Sequence, residues 1–210
     1  MSGNDYDDLR DRLKELSSEE RAALLKDVEA ENELPIIGWS SNPEAVKAAF
    51  KYVEEQGTVT FEDLRQHLHD EEHIEAEQGS YNFGIIDTER EVFFKTDGDR
   101  EAGTEITLNP CGKEYAEIFD ESDYLRPIEK TLLIGMQPYG SGLRFLGILE
   151  ENREDGILRE NLQEQMVEEY EGSGKYFTGY YGSWYSKLGL VDKERVGRKV
   201  KYKPAFPSAW

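Results

Sequence analysis

Apolar residues recur at helical spacing through much of the chain. Val46, Ala49, Phe50 and Val53 share one face, with Asn42 before them as N-cap, Pro43 in the first position and Gln56-Gly57 at the end, so a helix spans about 43–56. Thr60 and Asp63 have the spacing of an N-cap and an acidic third position, which opens a helix over 61–69 carrying Leu64 and Leu68. β-rich stretches then follow at Glu91–Lys95 and Glu105–Leu108, joined by a polar turn containing Asp97-Gly98. Further along, helices are expected at about 142–152, at 157–169 with Leu162 and Met166, and at 178–188. In the last of these Phe177, Tyr181, Trp184 and Leu188 stand 4, 3 and 4 apart and form a core stripe. A hairpin turning at Gly197 closes the series, and Pro138–Gly142 (Pro-Tyr-Gly-Ser-Gly) reads as a turn without the lysine of a phosphate loop. Residues 5–33 read as two helices separated by a Ser17–Glu20 capping box, with apolar stripes at Leu9, Leu13, Leu16 and at Leu24, Leu25, Val28.

The two series are one unit written twice. Ile36-Ile-Gly38-Trp-Ser-Ser matches Leu133-Ile-Gly135-Met-Gln, and Val53-Glu-Glu-Gln56 matches Leu149-Glu-Glu-Asn152. A turn and a short amphipathic helix follow each. Phe83-Gly-Ile-Ile-Asp-Thr-Glu-Arg90 then matches Leu188-Gly-Leu-Val-Asp-Lys-Glu-Arg195, and each copy closes on a strand and a proline, Ile106–Pro110 against Val200–Pro204. Landmarks in one order at nearly one spacing indicate a duplicated unit of about 70 residues.

Helix, helix, helix and a two-stranded hairpin, written twice, resemble tandem winged helix-turn-helix proteins of the archaeal and bacterial regulator type. Leu188-Gly-Leu-Val191 looks like the end of a recognition helix entering its wing, and Thr107–Glu114 like the strand-to-helix junction closing such a domain. The resemblance covers roughly 36–206. It implies a mainly α fold with small β-hairpins (α+β), with an N-terminal helical segment at 1–35, an acidic domain at 36–122 and a second domain with a basic wing at 123–210.

Composition then changes what that fold is expected to touch. The 210 residues hold 45 Asp+Glu against 25 Lys+Arg, a formal charge of −20, with 37% hydrophobic residues. That fraction is enough for a core. No apolar run is long enough to span a bilayer, and a lone cysteine, Cys111, excludes an intramolecular disulfide framework, so a cytoplasmic place is expected. Scattered carboxylates and sparse lysine resemble the composition of cytosolic proteins of salt-accumulating haloarchaea. The alternative is an ordinary acidic protein kept soluble by net charge. Against this background the charge reverses once. Residues 171–210 hold eight bases and three acids, a net +5 that leaves −25 on the rest, whereas the matching stretch of the first copy, 79–110, is −4.

The basic segment marks the candidate nucleic-acid contact: Tyr180, Ser183, Ser186 and Lys187 on the open face of helix 178–188, and Lys193, Arg195, Arg198, Lys199 and Lys201 in the wing. Alternation sets Lys199, Lys201 and Lys203 on one wing face and Arg198, Val200 and Tyr202 on the other. Gly179 and Gly182 are disfavoured in a helix, and close approach to a groove floor or to another helix would account for them. The open face carries no Arg or Asn, so a bidentate base reader is missing from it. Pairing of the wing bases with surrounding acids is the competing explanation for their presence. Double-stranded DNA is the expected partner of a transcriptional regulator, with a protein partner or self-association through domain 1 or the N-terminal helices. The rival reading is an adaptor whose two winged helices dock other proteins without touching DNA.

No enzyme is expected, nor a cofactor. His69-Asp-Glu-Glu-His73 fits the H-x-x-E-H pattern of inverted zinc peptidases, and His67 lies beside it. The pattern is short, the chain is rich in acids, and Val167 stands opposite His69 in the second copy, so incidental surface histidines are the favoured reading. Cys111 at a helix start would have a somewhat stabilised thiolate, with packing the favoured role. Glu150 and Glu151 are consecutive on a helix and do not face each other, so they form no acid/base dyad.

Overall fold

Pro43 at the first position fixes the entry to helix α1 (Pro43–Gln56), which drives Ala45, Val46, Ala49, Phe50 and Val53 into a core where each is at most 1% exposed. The Asn42 side chain does not cap this helix. It donates instead to the carbonyl of His73. These coordinates are a computed structural model that describes residues 16–17, 19–21, 23–24, 42–71, 73, 86, 91–99, 101–137, 139–170 and 174–207. They form two compact units. The first takes the described residues of 33–137 together with Ser183–Leu188, and the second those of 1–32, 138–182 and 189–210. Among the described residues no helix is long and apolar enough to cross a membrane.

In the first unit Gly57 (φ 78°) ends α1, strand β1 (Thr58–Thr60) follows, and α2 (Phe61–Asp70) starts on the expected capping box, Thr60 with Asp63. Strands β2 (Phe94–Thr96) and β3 (Glu105–Leu108) form a hairpin, and β1 pairs antiparallel with β3, giving the order β1-β3-β2. The sheet closes over Phe50, whose ring lies 4.8 Å from Phe94 and 5.5 Å from Phe93 and Phe119. Helix α3 (Pro110–Ala116) follows the strand as expected, and α4 (Pro127–Gly135) completes the unit. Lys47 of α1 is 7% exposed and ties these parts together. Its ammonium donates to Asp120, Ser122, the Tyr124 carbonyl and Glu129, which is itself fully buried. Burial pushes the Glu129 carboxyl up. The backbone N–H groups of Arg126 and Asp120, with the Lys47 and Arg126 side chains, outweigh that and hold it below the usual carboxylate range.

The second unit also runs helix, short strand, helix and hairpin, with one more helix before the hairpin among the described residues. Helix α5 (Tyr139–Glu151) leads through Gly156 (φ 69°) to the two-residue strand β4 (Ile157–Leu158), then α6 (Arg159–Tyr170), α7 (Gly174–Lys187) and the hairpin β5 (Val191–Val196) and β6 (Lys199–Pro204). Again the short strand pairs with the last one, in the order β4-β6-β5. Phe145, Leu162, Met166, Tyr181 and Tyr202 are at most 3% exposed at its centre. One base is buried on the opening helix here too. Arg144 is 6% exposed and reaches Glu19, Glu151 and Glu169.

Several boundaries differ from expectation. The run expected as helix 157–169 begins as strand, because Ile157 and Leu158 pair with Tyr202 and Lys201 before α6 starts. The expected strand at Glu91–Lys95 is confined to 94–96, with Glu91 at φ 47° before it. Tyr139–Gly142 is the first turn of α5 rather than a loop. Its small residues let the helix pack closely, with Gly140 and Gly142 buried and the Ser141 hydroxyl hydrogen-bonded to that of Tyr181. The Ser17–Glu20 capping box is present, each backbone N–H donating to the other side chain at 2.8 and 3.2 Å. Leu24 of the expected stripe is 44% exposed. The rest of the N-terminal helices, the Ile36–Ser41 landmark, Phe83–Ile85 and the third helix of the first copy lie outside the described residues.

Candidate nucleic-acid interface

The β5–β6 hairpin is held at its base and open at its tip. Tyr202 pairs across to Lys193 and is 3% exposed, and burial pushes its hydroxyl up. Val191, at the start of β5, is also buried. Toward the tip every residue from Asp192 to Lys199 is exposed, and Gly197 at φ 65° makes the tight turn with Arg198. The register places Lys199, Lys201 and Lys203 opposite Val196, Glu194 and Asp192, so the three lysines share a face as alternation predicts.

These bases do not have equal freedom. Lys199 pairs with Glu160 of α6 at 2.6 Å, and Lys203 with Glu194 at 3.6 Å. Lys201 donates to the Asp155 carbonyl at 2.9 Å, and Lys193 lies 6.0 Å from the centre of the Tyr202 ring. Arg195 and Arg198, flanking Val196 and Gly197, are exposed, and their side chains make no hydrogen bond or ion pair among the described residues. The free positive charge of the hairpin therefore sits at its tip, and Val196 adds an apolar side chain there that is 45% exposed.

Helix α7 starts at Gly174, four residues before the expected position. A Cβ on Gly174 would meet the Met166 backbone at 2.3 Å, so only glycine lets α7 begin this close to α6. Phe177, Tyr181, Trp184 and Leu188 are buried as expected. On the opposite face Tyr180, Ser183 and Ser186 are half-buried and Lys187 is exposed. Sequence reading missed Lys175 and Tyr176 on this face because it started the helix too late; Tyr176 is 75% exposed. Lys187, in the stretch that belongs with the first unit, donates to Asn42 at 2.6 Å and Glu44 at 3.1 Å. Gly182 does not serve an approach to a groove. It is buried, and a Cβ there would stand 2.7 Å from the Tyr202 hydroxyl. Gly179 faces a side chain of the same unit, with Nη2 of Arg159 3.3 Å from the site of its missing Cβ.

The other candidate chemistries are not assembled. Helix α2 ends at Asp70, and His73 lies beyond it with its N–H donated to the Leu68 carbonyl, so His69 and His73 do not share a helical face. His67 stacks on Tyr52 at 4.0 Å, and burial lowers His73 against the pull of Glu44 and Glu71. Among the described residues no group of three or more His, Cys, Asp or Glu is placed to hold a metal ion. Cys111 lies in the first turn of α3, yet burial and the Glu114 charge push its thiol up, so the expected thiolate stabilisation is absent. No family model, no curated protein and no solved structure matches the chain.

Proposed function

We propose that the chain is a duplex-DNA-binding protein of two winged-helix units in tandem, acting in the cytoplasm as a transcriptional regulator. The winged-helix reading is supported by the repeated order of helix, short strand, helix and hairpin, with the short strand joined to the last strand in both sheets. In this reading the second unit contacts DNA through the open face of its part of α7, residues 174–182, and through its hairpin, and the first unit serves for docking or self-association.

One observation carries the DNA reading. In a chain of net charge −20, Arg195 and Arg198 stand exposed within four residues at a hairpin tip, without an acid partner among the described residues. Unpaired guanidinium groups at the tip of a narrow hairpin suit phosphates and the minor groove. Lys187, Lys199 and Lys203 have acid partners and are secondary contributors, available only by exchanging a carboxylate for a phosphate. The test is binding of the full chain to genomic DNA fragments over a KCl series, wild type beside Arg195→Glu/Arg198→Glu. Loss of binding in the variant supports the tip assignment; undiminished binding would remove it.

The adaptor reading has its own support. Tyr124 is 67% and Ile128 56% exposed in the first unit, large side chains of the kind a protein partner covers. Failure of both proteins to bind DNA would favour that reading.

A further inference from the structure

We propose that Arg159 is the base-reading side chain of the second unit, delivered to the open face of α7 from the neighbouring helix α6. The inference rests on the DNA-binding reading above and supplies what the sequence of α7 lacks, a bidentate donor. Arg159 is the first residue of α6 and is exposed; its side chain makes no hydrogen bond or ion pair among the described residues, and its charge acts on the Tyr202 hydroxyl beneath α7. Its guanidinium lies against the one place on the open face of α7 that has no side chain. A Cβ on Gly179 would be 3.3 Å from Nη2, the closest contact there. Gly179 has no positive φ, so backbone conformation does not require glycine at this position. The space it leaves is what accommodates the guanidinium. Around it on the same face stand Tyr176, three residues before, and Tyr180, immediately after.

The chemistry of that seat favours a base edge. A guanidinium presents a planar fork of donors that matches the paired O6 and N7 acceptors of guanine in the major groove, whereas an ammonium offers only a point charge. A recognition helix meets base edges through its N-terminal residues, and Gly179 lies in the first half of α7. Tyr176, 75% exposed, adds an aromatic surface and a hydroxyl beside the fork. Arg159 therefore reads a guanine, and Gly179 is the positioning residue that admits it.

The experiment uses the full chain. Selection from a random duplex library supplies a preferred site, and wild type, Arg159→Lys and Gly179→Ala are then compared on that site and on a scrambled duplex over a KCl series. The expected result for Arg159→Lys is a loss on the order of tenfold in the preferred-to-scrambled affinity ratio, with the salt slope unchanged because the charge remains. Gly179→Ala is expected to lower the same ratio while raising Tm, since alanine favours the helix but crowds Nη2. A ratio retained in Arg159→Lys overturns the inference alone, whether absolute affinity holds or falls, because the guanidinium is then on a phosphate or off the DNA. Wild-type binding without any preferred site also overturns it. Absence of duplex binding by the wild type overturns the functional reading and this inference with it.

Discussion

The two units place their positive charge in opposite ways on a shared order of elements. In the first, one base on the opening helix, Lys47, is turned inward, its side chain 9% exposed against a Glu129 side chain that is 0% exposed. The sequence of its hairpin, 94–108, holds two bases, Lys95 and Arg100, among four acids, Asp97, Asp99, Glu101 and Glu105. In the second, Arg144 is also buried, but its carboxylate partners Glu19, Glu151 and Glu169 are 68%, 49% and 32% exposed, and two more arginines stand free at the hairpin tip. Two units with the same order of helix, short strand, helix and hairpin thus carry opposite net charge at their hairpins. The bases at the second tip are not a requirement of the fold, and that is why they are informative about a partner.

The largest expected effect tests the inward half of this comparison. Lys47→Met leaves Glu129 buried with only Arg126 as a cationic partner, and should destabilise the first unit by about 3 kcal/mol, read by urea unfolding with hydrogen exchange. Arg144→Met should cost about 1 kcal/mol or less, because its partners sit near water and can rehydrate. Equal losses in the two variants would erase the distinction.

Acid sharpens the same contrast. Glu129 and Asp120 both titrate below their ordinary values of 4.5 and 3.8, Asp120 chiefly through the Ser122 hydroxyl and Lys47. Groups depressed in the folded state contribute stability above the unfolded pKa and lose it as pH falls through the folded one. Amide protection factors of the first unit, which are corrected for the pH dependence of intrinsic exchange, should therefore fall as pH drops below about 4.5, and that acid-dependent component should shrink in Lys47→Met.

A smaller effect tests the outward half. Glu160→Gln releases Lys199 from an exposed pair worth at most about 1 kcal/mol, and should strengthen DNA binding by no more than a few-fold. Weaker binding would mean that Glu160 positions the hairpin rather than restraining its charge.

Much of the fold was legible in local chemistry. Pro43, the Thr60–Asp63 box and the 4-3-4 stripe of α7 each act over a few residues, and the structure realises them. Strands β1 and β4 were not legible, because three- and two-residue strands have no period of their own and exist only through β3 and β6. Helix α7 begins four residues before the spacing predicts, because its start depends on the Met166 backbone packing where Gly174 has no side chain. At the candidate site the reversal of charge marked the hairpin, but sequence spacing cannot say which bases are already paired. Lys199 finds Glu160 thirty-nine residues away, and Arg159 reaches Gly179 only because two helices pack.

The central claim, that the free arginines of the second hairpin are what DNA meets, is tested most directly by a matched pair of charge reversals. Arg195→Glu/Arg198→Glu and Lys95→Glu/Lys113→Glu change net charge equally, one in each unit. The slope of log affinity against log KCl should fall by about 2 in the first variant, since each phosphate contact contributes about −0.9, and stay unchanged in the second. Equal slopes in the two variants would contradict the account, because net charge alone would then govern binding.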